Sequence, residues 1–257
     1  MTGLHYYYFP TSYWSRIVSL VIAAKGLAAT RHIVDIRHAE NFEPDYLRLN
    51  PRGVVPTIVD DGRAVWDGPT IVRHLEAAGG PAVVGEPDAL LVELEQLPLM
   101  LMSYSVWIKG SRGEKSADIL ADKVERAATY ATRYPELAAH YERKREFFAK
   151  FRAQVYDEGH VQAQAEHVGQ VLERATARLE ERPWLGPGRM GYPDFILVSA
   201  LYRLADLRRV DGWADDPGHP LRRWFERARA QPEYQAVFVD DPHILPQYRR
   251  DGSLPRP

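Results

Sequence analysis

The tract Gly53-Val54-Val55-Pro56-Thr57-Ile58-Val59, followed by Asp60-Asp61-Gly62 and Arg63-Ala64-Val65-Trp66, constrains the fold more than any other. An apolar run meets a proline, continues as a β-branched strand, turns at Asp-Gly and returns as a second short strand. Asp-Gly between β-like runs is a strong hairpin signal. Pro56 opens the strand, where its missing N–H removes no ladder bond. The Val55-Pro56 bond has two readings: a cis peptide would turn the chain sharply and bare the backbone of Val55, and a trans peptide would make Pro56 an ordinary strand cap.

The segments around this hairpin are of the kinds that pack on a small sheet. Leu4 to Phe9 is short, aromatic and bounded by Pro10, a first strand with Leu4, Tyr6 and Tyr8 on one face and His5, Tyr7 and Phe9 on the other. Pro10 to Ser15 is a hydroxyl-rich turn in which Ser12 or Ser15 can cap the following helix, Arg16 to Lys25, which stops at Gly26. His32 to Ile36 reads as a second strand, and the polar stretch Glu40 to Asn50 as a short helix or ordered loop. Pro69 to Ala78 is a helix with proline near its first turn. The first two strands flank a crossover and are expected to be parallel, with the hairpin adding an antiparallel pair.

Gly79-Gly80-Pro81 and Gly85-Glu86-Pro87-Asp88 form a linker, and beyond it only helical periods remain. Helices are expected over Leu90 to Ile108, Glu114 to Tyr134, Pro135 to Phe151, Val161 to Glu181, Asp194 to Leu207 and Leu221 to Ala230, with coil to Pro257. The expected architecture is a small α/β domain (residues 1–80), a linker (81–90) and an all-helical domain (91–257). The chain has 257 residues and a formal net charge of -2, so it carries no electrostatic footprint for nucleic acid or an anionic membrane. No apolar run approaches the roughly 18 residues needed to cross a bilayer and the N-terminus lacks a signal-peptide pattern, so a cytoplasmic protein is expected. Cysteine is absent, which excludes disulfides, cysteine-zinc sites and chemistry at an enzyme-borne thiol.

The order strand, hydroxyl turn, helix ending Ala24-Lys25-Gly26, and then Asn50-Pro51-Arg52-Gly53-Val54-Val55-Pro56-Thr57 resembles the glutathione transferase superfamily. Asp35 with Glu40 to Asn50, and Glu125-Arg126-Ala127 with Tyr134-Pro135-Glu136-Leu137, look closer to bacterial tetrachlorohydroquinone reductive dehalogenases, near the zeta-class maleylacetoacetate isomerases. The resemblance implies a thioredoxin-like domain before an all-helical one, a cis bond at Pro56, a homodimer, and glutathione or another low-molecular-weight thiol as co-substrate. It implies that Thr11, Val55, Pro56, Asp67 and Gly68 bind the thiol compound. Ser12, Ser15 and Arg16 are the catalytic candidates it leaves, and Tyr8, Trp14, Tyr104 and Trp107 the candidates for lining the substrate pocket.

Three positions depart from that pattern. Where dehalogenase-like members carry Cys-Ser, this chain has Trp14-Ser15, so a mixed disulfide with the enzyme is not available. Ser12, Ser15 or Thr11 can still donate a hydrogen bond to a bound thiolate at the positive end of the helix dipole. At Asp67-Gly68 the family's serine hydroxyl, which holds the γ-glutamyl carboxylate, is replaced by glycine, with Thr70 as a conceivable substitute. One such bond is worth roughly 1.5–3 kcal/mol, or one to two orders of magnitude in affinity. Gly191 stands where the family caps the helix of Asp194 with Ser or Thr, and Asp194 reads as a structural carboxylate.

Arg16 has a second reading as a surface residue of the first helix, and Tyr104 and Trp107 as ordinary core. His140, His160 and His167 do not have the spacing of a metal site, and no metal is expected. Arg143-Lys144-Arg145 reads as a solvated face. The functional expectation is a glutathione transferase-like enzyme acting on a small quinone-like, dienoic or carbonyl electrophile, by thiol conjugation or thiol-assisted isomerisation. The alternatives are a thiol-independent isomerase, lyase or cyclase using the inter-domain cleft, and a non-catalytic ligand-binding module of the same fold.

Overall fold

The structure is a computed structural model that describes residues 2–109, 118–207 and 212–243. Four strands form one mixed sheet in the order β2-β1-β3-β4: β1 Leu4–Tyr8, β2 Ala29–Ile33, β3 Thr57–Asp60 and β4 Arg63–Trp66. β1 and β2 are parallel, while β1/β3 and β3/β4 are antiparallel, as the crossover and the Asp-Gly turn require. The second strand lies three residues earlier than His32 to Ile36, because pairing Leu4 with Ala29 and Tyr8 with Ile33 uses the segment directly after Gly26 and Leu27. Val55-Pro56 is cis.

Helix α1 (Tyr13–Ala24) begins three residues before the expected Arg16, with Ser12 at its N-cap position. Its apolar residues Ile17, Val18, Leu20, Val21 and Ile22 are buried. α2 is Pro44–Leu49, preceded by a short 3-10 turn at Glu40–Phe42, and α3 is Gly68–Glu76. The expected single helix from Leu90 to Ile108 is two, α4 (Ala89–Glu95) and α5 (Leu99–Lys109), because Pro98 cannot donate within a continuing helix. Residues 89–108 are as long and as apolar as a membrane span, yet this break interrupts them and about half of the segment is buried in the fold.

Then follow α6 (Ile119–Arg133), a 3-10 turn at Pro135–Leu137, α7 (Ala138–Tyr156), α8 (Glu158–Glu181), α9 (Tyr192–Asp206), α10 (Pro220–Arg229) and α11 (Pro232–Phe238). α11 lies where coil was expected. Proline at its first turn and the buried Tyr234, Val237 and Phe238 are a local helix signal that Gln231-Pro232 obscured. Residues 114–117 and 244–257 of the expected elements lie outside the described residues.

The chain divides into two compact units, one of Met1–Ile33, Val55–Leu97 and Gly169–Pro257, the other of Val34–Val54 and Pro98–Val168. This is a different partition from the sequential one at residues 81–90, since each unit draws on both parts of the chain. In the first unit α1 packs against α3, α9 and α11, and the sheet buries Tyr6, Tyr8 and Ile58. In the second, α5, α6 and α7 enclose Phe42, Leu120, Phe148 and Phe151.

Candidate functional site

The hydroxyl turn hangs from the end of β1. Ser12 N–H donates to Phe9 O (2.9 Å), and Ser12 O accepts the Arg16 N–H (3.0 Å), the first bond of α1. The Ser12 side chain makes no capping bond and is half-buried, at the N-terminus of a 12-residue helix. Ser15 is different. It is 0% exposed, its Oγ accepts the Phe9 N–H (3.3 Å), and its carbonyl accepts the Tyr6 hydroxyl (2.6 Å). The expectation that Ser12 or Ser15 caps α1 by its side chain is therefore corrected: Ser12 caps with its backbone alone, and Ser15 ties the helix to the strand.

Arg16 packs against α9 and α11. Its Nε donates to Pro10 O (3.2 Å) and its guanidinium lies over the rings of Tyr202 (5.4 Å) and Phe238 (5.7 Å), on α9 and α11. It is half-buried rather than a surface arginine. The Thr11 carbonyl accepts from Arg203 Nη2 at 2.6 Å, a second link from the turn to α9. Tyr8, expected to line a pocket, is 1% exposed. Its hydroxyl faces Asp241 (3.4 Å to both oxygens), which also pairs with Arg31 (3.3 Å). Burial, with the Asp241 charge beside it, pushes the Tyr8 phenol up to about 12. The segment after α11 covers this ring, so it forms no wall of an open pocket.

β3 brings Val55 toward the same turn. Tyr7 pairs with Thr57, the last pair of that ladder, and Val55 lies two residues before Thr57 as Phe9 lies two after Tyr7. Among the described residues no hydrogen bond engages the backbone of Val55. At the other end of the hairpin, Asp67 stands before α3 with φ +79, a conformation that costs a non-glycine residue on the order of 1–3 kcal/mol. Its carboxylate accepts the Thr70 hydroxyl (2.9 Å), so Thr70 is engaged within α3.

Gly68 then meets Trp14. A Cβ on Gly68 would lie 2.1 Å from Cε3 and 2.4 Å from Cδ2 of the indole. The two departures noted separately in the sequence are one packing arrangement: with Trp14 in this position, residue 68 has no room for a side chain. Ser12, Trp14, Val55, Asp67 and Gly68 all belong to the first unit. Tyr104 and Trp107 belong to the second, where Tyr104 meets Phe151 (5.5 Å) and Trp107 (5.4 Å) edge-on and Trp107 is 44% exposed.

Sequence reasoning missed Lys144. Its neighbours Arg143 and Arg145 are exposed as expected, yet Lys144 is 4% exposed, which corrects the reading of this run as a wholly solvated face. Its signal was the stripe Tyr141, Lys144, Phe148, Phe151, Val155 at helical spacing, in which a lysine holds a core position. Asp194 is structural: its carboxylate accepts N–H donors from Leu185 (2.9 Å), Gly186 (3.0 Å), Gly191 (3.1 Å) and the Trp224 indole (2.8 Å). Burial pushes its pKa up, while the four donors act to hold the anion. Among the described residues no group of three or more His, Cys, Asp and Glu side chains is arranged to hold a metal ion.

Comparison with known proteins agrees with this architecture. Residues 11–78 match the family model of the glutathione S-transferase N-terminal domain, and residues 145–232 that of the C-terminal domain. The tetrachloro-p-hydroquinone reductive dehalogenase of Sphingobium chlorophenolicum is 30% identical over 219 residues, 79% of this chain and 86% of that protein. Among solved structures, the beta-etherase LigF of Sphingobium sp. strain SYK-6 aligns over 92% of this chain and 99% of its own, with a TM-score of 0.63 at 18% identity. The glutathione transferase URE2P6 of Phanerochaete chrysosporium, in complex with oxidised glutathione, aligns over 92% and 94%, with a TM-score of 0.61 at 14% identity. With the thioredoxin-like sheet, the cis-proline hairpin and the helices after it, these matches establish that the chain belongs to the glutathione S-transferase family.

Proposed function

We propose that this protein is a glutathione transferase-like enzyme that activates a low-molecular-weight thiol at the N-terminus of α1 and directs it at a small electrophile. The reading is supported by the half-buried Ser12 at the head of α1, whose side chain makes no capping bond, together with the main chain of Val55, which no hydrogen bond engages among the described residues. A thiolate near Ser12 would gain one hydroxyl donor and the favourable end of the helix dipole. The backbone of Val55 would pair with the peptide part of the thiol compound. Ser12 takes the thiolate role in this reading, and Ser15 and Arg16 support the turn. Glutathione is the first thiol to test, since a relative of this fold is known in complex with it. The chemistry stays within conjugation or thiol-assisted isomerisation, because the chain has no cysteine to resolve a mixed disulfide.

A second reading is favoured by Trp14. Its indole lies against Gly68, over the first turn of α3, where the family resemblance implies the γ-glutamyl end of glutathione. A thiol-free enzyme that has given up that subsite would tolerate such a filling. Calorimetric titration of wild-type protein with glutathione, with a thermal-shift control, separates the two. Micromolar binding supports the thiol-dependent enzyme. No detectable binding to glutathione or other cellular thiols would sink it and leave the thiol-free reading. The resemblance also supports a homodimer, for which sedimentation at micromolar protein should give twice the chain mass.

A further inference from the structure

The turn that leads into Val55 is held from behind by side chains that the thiol-site reading does not use. Three successive carbonyls are engaged. Lys144 Nζ donates to Arg52 O (3.2 Å) and to Gly53 O (2.7 Å), and Asn41 Nδ2 also donates to Gly53 O (2.7 Å). Val54 O accepts from the Tyr46 hydroxyl (2.7 Å) and from Asn50 Nδ2 (2.8 Å). A peptide unit is planar, so fixing the Val54 carbonyl also fixes the direction of the Val55 N–H on the other side of that plane. At Gly53, with φ +56, a Cβ would lie 2.5 Å from Lys144 Nζ and 2.7 Å from Asn41 O; glycine is what lets the ammonium approach.

We propose that Lys144 is a positioning residue for the ligand site, holding the Arg52 and Gly53 carbonyls so that the next peptide presents the Val55 N–H in a fixed direction. The proposal rests on the reading of Val55 as the main-chain partner of the thiol compound. Lys144 and the turn lie in the second unit, and Val55 is the residue that follows in the chain.

The surroundings of Lys144 direct its donors at the turn. Its Nζ lies 4.1 Å from the centre of the Phe42 ring and 5.7 Å from that of Phe148. The charged and titratable groups around it include Lys123, Arg126 and Tyr130 of α6, Glu43 after the 3-10 turn, Tyr46 of α2, Arg52 of the turn itself and Tyr141 of α7. Lys123 lies over the same Phe42 ring (5.5 Å), Glu43 accepts the Tyr130 hydroxyl (2.8 Å), and Tyr141 donates to Phe42 O (2.7 Å). Among the described residues no carboxylate bonds to Lys144. Burial, with the Lys123 charge beside it, pulls Lys144 down to about 7. Charge-assisted bonds are roughly twice as strong as neutral ones, so the hold is firmer when the amine is protonated.

The test compares Lys144→Met with wild type in two readouts, amide exchange at Gly53, whose N–H donates to Asn50 O (2.7 Å), and glutathione affinity by calorimetry at pH 6 and pH 8. The expected result is Gly53 exchange and glutathione dissociation each increased about tenfold, with the wild-type difference between the two pH values reduced in the variant. Unchanged Gly53 exchange overturns the proposal. Faster exchange with unchanged affinity also overturns it, because the turn is then held for stability alone. If wild type binds no glutathione while exchange rises in the variant, the functional reading has failed and Lys144 is structural. Should the variant not fold, the wild-type protein supplies the readout. Saturating glutathione should raise protection at Gly53, and unchanged protection in the glutathione-bound protein overturns the proposal.

Discussion

Ser12 and Ser15 are three residues apart and differ in surroundings, Ser12 half-buried without a capping bond and Ser15 buried with its Oγ on the Phe9 N–H. Ser12→Ala should raise the apparent pKa of a bound thiol by roughly one to two units, the size of one charge-assisted hydrogen bond. Ser15→Ala should leave that pKa in place and lower the melting temperature, since it strips the acceptor from the buried Phe9 N–H. Thiolate absorbance followed against pH in both variants checks the pair, and equal shifts would refute the division. Lys144 gives a different residue-scale expectation. Its folded pKa of about 7 lies below the ordinary lysine value of roughly 10.4. Across that window the unfolded chain binds the proton and the folded chain does not, so this group's contribution to stability rises with pH and is lost as pH falls through 7. Lys123, shifted down by burial in the same direction, adds to the slope. Urea unfolding between pH 6.5 and 9.5 should show stability rising with pH, and Lys144→Met should flatten the curve.

At the scale of elements, α1 and α3 meet through Trp14 and Gly68, and α9 is anchored through its first turn. Gly68→Ala places a methyl where the indole stands, so it should cost about 1–3 kcal/mol by overpacking. Trp14→Ala combined with Gly68→Ala should recover part of that loss, and a double-mutant cycle reads the coupling. Additive losses would show that the two positions do not share space in solution. Asp194 closes the loop between α8 and α9 by taking three of its N–H donors, and a fourth from the Trp224 indole of α10. Asp194→Ala leaves those buried donors without an acceptor and should cost about 3 kcal/mol or more, measured by urea unfolding.

At the scale of the whole molecule, the first unit joins segments from both ends of the chain. Asp241, beyond the last helix, accepts from Tyr8 of β1 and pairs with Arg31 of β2. Its side chain is nearly buried, so Asp241→Ala leaves the phenol and the guanidinium without their anion and should cost about 1–3 kcal/mol. It should also bring the Tyr8 pKa down from about 12, because the neighbouring negative charge is removed and the ring becomes more exposed. Tyrosine absorbance titrated toward alkaline pH checks this, and an unchanged titration would show that the segment after α11 does not cover the ring.

The hairpin, the parallel crossover, the helical half and the family were legible in the residues, because Asp-Gly turns, proline positions and hydrophobic periods are local signals. Asp194 as a structural carboxylate was legible for the same reason, from its place in a helix's first turn. The register of β2, the break at Pro98 and the helix after Gln231 depended on which competing local signal the packing favoured. The site itself was half legible. The sequence named Ser12, Ser15, Trp14, Val55 and Gly68, but only the tertiary structure separated the half-buried Ser12, without a capping bond, from the buried and bonded Ser15. Only the structure joined Trp14 to Gly68, and set Lys144 behind the turn before Val55. Each of these depends on distances between segments far apart in the chain. A sequence fixes which groups are present and which local conformations they favour; which hydroxyl is engaged, which glycine is crowded and which lysine is dry follow from where the folded backbone brings the other segments.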